Sequence, residues 1–394
     1  MTTISDGADE LEPFRQFVVK IHGRCNLACD YCYVYEHVDQ TWRERPAAMS
    51  TELLEVLADR IATHAKRHGL DQIQVVLHGG EPLLAGRDRI RHAVEAIRSR
   101  TPAGTAVRFA VQTNGVRLTD SFLKMLAELG INVGVSLDGG LPSHNKHRLF
   151  TGGRDSFPAV VTALSRLRGP GYRDIYGGIL CTIDLANDPI EVYRSLLDFN
   201  PPTLNFLFPL GNWTNPPPGR PVDDPRTPYG DWLITIFDEW YGSPVRRTAI
   251  RLFDSIIAMV LGGYSETEQL GLSRTFAITV DTDGSIQCSD ALKTTSSHAP
   301  ETGLDIVANS FDDALTSPQL RAEQRTDANL PNACRRCPVV RICGGGLHAH
   351  RFHIADGFSR RSVYCRDLFR LIRHIRDRVR SDLAHLVPDV PVPT

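Results

Sequence analysis

Residues 17–37 read FVVKIHGRCNLACDYCYVYEH, an apolar β-branched run that leads directly into Cys25, Cys29 and Cys32 in the order CxxxCxxC. Three thiolates from one short loop can hold three corners of an iron–sulfur cubane and leave the fourth iron without a protein ligand. Such an iron can bind and reduce a small molecule, whereas a site closed by four cysteines only stores or passes an electron. The same cysteines could bind zinc with a fourth ligand from elsewhere, or be buried thiols, although zinc sites usually use CxxC pairs. The CxxxCxxC order, Tyr31 before the third cysteine and the preceding strand favour the cluster.

Further apolar runs, IQVVLHGG, AVRFAVQTNG, NVGVSLDGG, IYGGILCTID and TLNFLFPL, follow, with helical patterns such as TELLEVLADRIATHAKRHG between them. Six strands that alternate with helices connect through right-handed β-α units. The spacing therefore predicts an α/β fold, a partial (β/α)6 TIM-like barrel around a parallel sheet. Chemistry in such a sheet gathers at the carboxyl ends of the strands. There the sequence places the cysteine loop, His78-Gly79-Gly80-Glu81-Pro82, Gln112-Thr113-Asn114-Gly115 and Ser136-Leu137-Asp138-Gly139, after strands one to four in turn. Each string alone is an ordinary turn; four on one rim mark a site.

With 394 residues the chain has room for two or three domains and a large core. A formal net charge of -2 with 23% charged residues implies no polyelectrolyte attraction, so neither nucleic acid nor a membrane is expected as partner. Seven of the nine cysteines fall in two tight groups, which suits metal ligation in a reducing compartment rather than a disulfide framework; the expected location is cytoplasmic. The opening MTTISDGADELEP is acidic and lacks the apolar core of a signal peptide, and no apolar run is long enough to span a bilayer.

Composition divides the chain into a flexible N-terminus (1–14), the barrel (15–210), a proline-rich linker with bridging helices (211–264), a second metal-binding region (265–365) and a C-terminal helix and tail (366–394). The second region opens with FAITVDTDGSIQCSDAL, a predicted hairpin around Asp283-Gly284 that ends at Cys288. It then carries Cys334, Cys337, Cys343 and Cys365, a CxxC pair with a third cysteine five residues on and a distant fourth, a set able to hold an iron–sulfur cluster or zinc. The last helix has an apolar stripe at Leu368, Ile372, Ile375, Val379 and Leu383 among arginines, which reads as core packing plus a solvated face, or more sharply as a dock for an acidic peptide. Cys181 reads as a buried strand thiol, and His348, His350 and His353 as packed or hydrogen-bonded.

On these motifs the first 210 residues or so resemble the radical S-adenosylmethionine (SAM) enzymes, in which an open iron binds SAM and its reductive cleavage yields a carbon radical. The resemblance implies a SAM-binding 4Fe–4S cluster on Cys25, Cys29 and Cys32. It implies contacts to the SAM amino group from the turn Gly79, Gly80 and Glu81, contacts to ribose and carboxylate from Asn114, Ser136 and Arg148, and Tyr31 near the adenine. The second region resembles the SPASM extension of peptide and protein maturases, implying a C-terminal SPASM-like iron–sulfur domain. Cys288 is then an orphan: the approach LGLSRTFAI has no cysteine and Leu347 replaces the one after CGGG. Two 4Fe–4S clusters are expected, one binding SAM and one auxiliary, on Cys334, Cys337, Cys343 and Cys365.

The strings FVVKIHGRCNLACDYCYVYEH, RPAAMS, HGGEPLL, FLFPLGNW and CGGGLHAHRF with VYC resemble the FxsB-type cyclophane-forming maturases over about residues 15 to 380. That resemblance implies crosslinking of an aromatic ring carbon to an unactivated Cβ in a ribosomal precursor peptide, a two-electron oxidation. The implied partners are the precursor peptide, an external electron donor such as flavodoxin or ferredoxin, and a separate leader-binding protein, because about fifteen residues before the first strand are too few for a recognition domain. A metallohydrolase-like extension found in some relatives is not expected in a chain ending at Thr394. Sulfatase maturases carry an Asp directly after the hairpin cysteine. Here Ser289 stands there, and Asp290 is a candidate base that a one-residue shift along a strand turns to the opposite face. The alternatives are a sulfatase-maturase-like, formylglycine-generating enzyme and a non-catalytic iron–sulfur or zinc protein.

Overall fold

The computed structural model describes residues 12–221, 224–265, 267–272, 277–323 and 329–386. The six predicted strands are present: β1 (Gln16–His22), β2 (Gln72–Gly79), β3 (Ala106–Thr113), β4 (Ile131–Ser136), β5 (Tyr176–Thr182) and β6 (Thr203–Leu207). They lie side by side in sequence order, each parallel to the next. Between them run α1 (Thr51–Arg67), α2 (Arg87–Arg100), α3 (Asp120–Glu128), α4 (Phe157–Leu167) and α5 (Pro189–Leu197). Ser50, Thr119 and Asp188 start α1, α3 and α5 by accepting first-turn N–H groups that no carbonyl of the helix can reach.

Alternation along each strand sends one set of side chains to the helices and the other to the barrel interior. Phe17, Val19 and Ile21 of β1, Val75 and Leu77 of β2, and Phe109 and Val111 of β3 are buried in the apolar core. Lys20 and His78, opposite each other in the β1–β2 register, belong to the interior set.

The sheet is larger than the sequence suggests: among the described residues β7 (Ala249–Ile250), β8 (Ala277–Val280), β9 (Ser285–Gln287) and β10 (Glu301–Asp305) join it, giving ten strands in the order β10-β9-β8-β1-β2-β3-β4-β5-β6-β7. The predicted hairpin is β8 (Ala277–Val280) with β9 (Ser285–Gln287), turning at Gly284, whose φ of +87° favours glycine. β8 pairs parallel to β1, and β10 (Glu301–Asp305) pairs antiparallel to β9, so the second region covers an otherwise open edge of the barrel sheet. The two-residue β7 (Ala249–Ile250) ends the other side.

Helices α6 (Pro228–Gly242) and α7 (Arg251–Val260) pack against the last helix, α9 (Cys365–Leu386), while α8 (Phe311–Leu315) packs on α1. The stripe read from the sequence is core: Leu368, Ile372, Ile375 and Val379 are buried. Asp367, fully buried in α9, accepts the N–H groups of Tyr229 and Gly230 and pairs with Arg220 at 3.1 Å, which fixes α6 on α9. No helix among the described residues is long and apolar enough to cross a membrane. Residues 1–11 of the expected flexible N-terminus, 273–276 of the hairpin approach and the tail from 387 lie outside the described residues.

Candidate active site

The loop after β1 folds back on itself through turns in which Cys32 N–H bonds to the Cys29 carbonyl, and Tyr35 and Glu36 N–H groups to the Cys32 carbonyl. Cys25, Cys29 and Cys32 are all half-buried and within electrostatic reach of one another. Burial pushes the Cys25 thiol up to about 11 and Cys29 up to about 12, so a metal cation must displace their protons. Groups suited to thiolates are in place: Cys25 Sγ accepts the Leu27 N–H at 3.4 Å and the Asn114 amide at 3.7 Å, Cys32 receives the Val34 and Tyr35 N–H groups, and the Arg148 charge acts on Cys29. Three thiols on one loop with donors around them fit a three-cysteine cluster site.

The Gly79-Gly80-Glu81 turn lies flush against this loop. A Cβ at Gly79 would stand 2.0 Å from the His22 carbonyl oxygen and one at Gly80 1.9 Å from the Tyr35 hydroxyl, so only glycine permits the approach. Gly80 and Glu81 N–H groups bond to the His22 and Arg24 carbonyls. The Glu81 carboxylate points away from the opening: it is fully buried and accepts the Leu83 N–H (3.0 Å), the Thr113 hydroxyl (2.7 Å) and the Asn114 N–H (2.8 Å). Burial raises its pKa against these three bonds. The carboxylate therefore ties the β2 turn to β3, and of the contacts expected from Gly79, Gly80 and Glu81 it leaves those of the backbone carbonyls.

Asn114 stands beside Cys25 and also donates to Asn26 Oδ1 at 2.9 Å. Ser136 accepts the Gln112 amide at 3.0 Å on the interior rim. Tyr31 and Arg148 both bond to Asp138, a residue the sequence presented only as part of a bend: the Tyr31 hydroxyl and Arg148 Nε (2.7 Å) share its Oδ2, and Thr182 N–H takes Oδ1 at 2.9 Å. Asp138 is buried, and despite that burial the Arg148 guanidinium holds its carboxyl below the usual range. Tyr31, Asp138 and Arg148 thus lock the cysteine loop to the ends of β4 and β5.

On the opposite side of the rim, Lys20 Nζ lies 2.5 Å from Asp290 Oδ1 and 3.2 Å from Asp281 Oδ2, with all three side chains buried or nearly so. Burial alone would lower the Lys20 pKa; the charges of Asp290 and Asp281 overcome it and hold it above the ordinary value. Arg45 continues the network to Asp281 (3.0 Å), Asp283 (3.1 Å) and Glu301 (2.7 Å). Tyr33 and His78 both feel the Asp290 charge. The strand argument against Asp290 is corrected here: β9 ends at Gln287, Ser289 caps a 3-10 turn over Asp290–Thr294, and that turn aims Asp290 at Lys20 inside the barrel. A single lysine within an apolar strand, FVVKI, is the signal that could have revealed the network.

Cys334, Cys337, Cys343 and Cys365 all line one cavity of about 800 Å³. The turn after Cys343 carries three consecutive glycines with φ of +58°, +75° and +70°. Their carbonyls converge on the buried Arg351 guanidinium, which donates to Gly345 (3.1 Å), Gly344 (2.9 Å) and Gly346 (3.3 Å). Burial raises the Cys343 pKa to about 12, with the Gly345 N–H and its neighbours acting on the sulfur. Four thiols around one space fit a closed cluster. Cys288 lies apart, buried, with the Glu323 carboxylate as its partner and further raising a pKa lifted by burial. Cys181 is a buried strand thiol, His348 stacks on Phe358, His350 packs on Tyr364 and His353 bonds to Asp356, as the sequence suggested.

Residues 19–196 match the profile of the radical SAM superfamily. They form a radical SAM domain. The serine-type anaerobic sulfatase-maturating enzyme of Bacteroides thetaiotaomicron is 25% identical over 387 residues, covering 92% of this chain and 90% of its own. The cysteine-type enzyme of Clostridium perfringens is 24% identical, covering 90% and 94%. The solved structure of native anSMEcpe with bound AdoMet and the Kp18Cys peptide superposes with a TM-score of 0.81 at 23% identity, over 94% of this chain and 99% of the other. The fold is thus that of a SPASM-type radical SAM enzyme, with the mixed sheet that the hairpin creates. Radical SAM domains use SAM and 4Fe–4S clusters, and both donor sets described above suit that use.

These full-length matches overturn the cyclophane-forming reading. Three of the five short strings behind it lie at the cysteine loop, the GGEP turn and the CGGG turn, beside the two cysteine sets. Such loops carry little information about which substrate bond is changed, whereas the matches extend through the whole chain.

Proposed function

We propose that the chain is a radical SAM oxidoreductase that oxidises Cβ of a serine or cysteine residue in a peptide or protein to the aldehyde level, the formylglycine-generating reaction. The observation that carries this reading is the agreement with sulfatase maturases of both serine and cysteine type across some nine tenths of the chain. We assign Cys25, Cys29 and Cys32 to the SAM-binding cluster and Cys334, Cys337, Cys343 and Cys365 to one auxiliary cluster. The division into barrel (15–210), connection (211–264) and cluster domain (265–365) belongs to the same proposal.

When bound, SAM and its cluster supply a carbon radical that removes one hydrogen atom from Cβ. The carbonyls of the Gly79–Glu81 turn would hold the SAM ammonium, while Asn114, Ser136 and Arg148 would orient the remainder around Tyr31. For serine, loss of that hydrogen atom, then of one proton and one electron, gives the aldehyde; for cysteine the same losses give a thioaldehyde, which water converts to the aldehyde and hydrogen sulfide. Asp290 takes the proton, with Lys20 as the positioning residue that fixes the carboxylate at the barrel mouth. The two electrons that the substrate loses would balance the two-electron cleavage of SAM to methionine and 5'-deoxyadenosine.

The test is anaerobic incubation of the reconstituted protein with SAM, dithionite and peptides carrying the candidate serine or cysteine, followed by mass spectrometry. Loss of two hydrogens from serine, or replacement of the thiol and one hydrogen by oxygen in cysteine, is the expected result. Formation of 5'-deoxyadenosine with every peptide returned unchanged would sink the reading.

A further inference from the structure

Away from the barrel mouth, a one-sided concentration of positive charge surrounds the four-cysteine cavity. Residues 331–380 hold twelve arginines and three aspartates, while the whole chain holds 44 basic and 46 acidic residues. The walls of the cavity carry Arg361, Arg366, Arg370 and Arg373, all exposed, and the cysteines form its floor. Positions 366, 370 and 373 are four and three residues apart on α9 and therefore share one face.

The carboxylates near this face are already committed. Arg370 pairs with Asp231 of α6, Asp367 with Arg220, His374 with Asp238 and Arg376 with Asp377. Among the described residues Arg361, Arg366 and Arg373 pair with no carboxylate; Arg373 lies over the Phe369 ring, 5.7 Å from its centre. A solvated helix face that only keeps a protein dispersed mixes both signs. Here four arginines and one aspartate line an opening, and that aspartate, Asp377, is held by Arg376. Part of the rim also acts on the thiols, Arg361 on Cys334 and Cys365 and Arg366 on Cys365, beside the buried Arg351, which acts on Cys334 and Cys343; Arg370 and Arg373 extend the rim further along α9.

We propose that this arginine rim is the docking surface for an acidic one-electron carrier of the flavodoxin or ferredoxin class. Unpaired guanidinium groups around an opening favour an acidic partner, and four thiols on the floor favour a redox partner over an acidic peptide. The inference rests on the proposed reaction in one respect, that an electron enters and an electron leaves. The reduced carrier gives up one electron for SAM cleavage, and the oxidised carrier takes back the one that the substrate carbon loses with its proton. No further oxidant is needed.

The experiment measures the dissociation constant between the cluster-loaded protein and an oxidised flavodoxin at increasing ionic strength. The expected affinity falls by at least about tenfold between about 0.02 and about 0.5 M salt, because exposed charges within a few ångströms of each other are screened over that range. The variant Arg370→Glu/Arg373→Glu, at two rim positions that do not adjoin a cysteine, binds about tenfold or more weakly at low salt and forms flavin semiquinone more slowly when mixed pre-reduced. It keeps its iron content and its dithionite-driven formation of 5'-deoxyadenosine, which does not use the surface. Salt-independent binding, or equal affinity of the variant, overturns the proposal. So does tight binding of a polyglutamate peptide with no binding of flavodoxin, which would assign the rim to an acidic polypeptide. Failure of the proposed oxidation itself shows separately, as unchanged peptide with dithionite as reductant.

Discussion

Lys20 in the first strand and Asp290 in the turn after β9 meet at 2.5 Å inside the barrel, so the second region completes the mouth of the first. Substituting either residue tests different things. Asp290→Asn keeps the shape and removes the proton acceptor; peptide oxidation falls by about a hundredfold while 5'-deoxyadenosine still forms, as measured by parallel quantitation of nucleoside and peptide. Lys20→Met leaves Asp290 and Asp281 buried with one cation fewer and lowers stability by about 3 kcal/mol, read from chemical denaturation.

Cys288 is bonded to Glu323 rather than gathered with other thiols. The loaded protein is therefore expected to hold about eight irons, two cubanes of four. Cys288→Ala leaves that number unchanged, whereas Cys334→Ser reduces it to about four. Iron and sulfide analysis on anaerobically reconstituted samples decides, and about twelve irons in the parent would show that a third site exists.

His64 of α1 is buried among Phe14, Phe17 and Phe311, and desolvation lowers its pKa to about 4 although Asp312 stands 3.3 Å away. The unfolded chain takes up this proton near pH 6.5 and the folded protein only near 4, so protons favour unfolding and stability drops as pH falls through that window. Between pH 7 and 5 the loss from this residue is about 2 kcal/mol. Denaturation curves of His64→Leu are expected to show a correspondingly flatter pH dependence.

How much of this was legible in the sequence depended on how local each signal is. The six barrel strands, the front cysteine loop and the Asp283-Gly284 hairpin follow from patterns a few residues long, and all are present. β7 and β10 were not visible: AI is too short to show a period, and ETGLD is polar with mostly half-buried residues, so only its neighbour β9 makes it a strand. Asp138 looked like a bend because its role comes from Tyr31 and Arg148, which only the fold brings together. The direction of Asp290 was misjudged because a strand period was carried three residues past the end of the strand, into a 3-10 turn. The substrate step was misread for a related reason, since the strings that resemble a cyclophane-forming enzyme are a few residues long and lie mostly beside the cysteines, whereas the matches to sulfatase maturases run along the chain.

Glu81 is expected to tolerate no isosteric replacement. In Glu81→Gln the amide nitrogen must face at least one of three donors, the Leu83 N–H, the Asn114 N–H and the Thr113 hydroxyl. A buried donor left without an acceptor costs about 2 kcal/mol, which thermal or chemical unfolding will report. Because the same bonds hold Asn114 against Cys25, iron retention at the front site should fall as well. Full stability with full iron would mean that the carboxylate does not organise this turn.

Arg351 offers the sharpest test of how the second cysteine set is built. A glycine is needed at each of positions 344 to 346 because the backbone is left-handed there, and a Cβ on Gly345 would come within 2.6 Å of the Arg351 Nη2. The guanidinium in turn satisfies three carbonyls that this backbone turns inward, away from water. Arg351→Met fills similar space with no donor, leaving the carbonyls unpaired and removing the positive charge that acts on Cys334 and Cys343. The expected outcome is a protein that still folds its barrel but holds about four irons instead of about eight, with the front site retained. Gly345→Ala reaches the same state by steric means, displacing Arg351 and adding about 1–2 kcal/mol of backbone strain. If both variants kept the full complement of iron, the arginine and glycine pairing would be a feature of packing alone. If only the arginine variant lost iron, charge rather than turn geometry would be what the site requires.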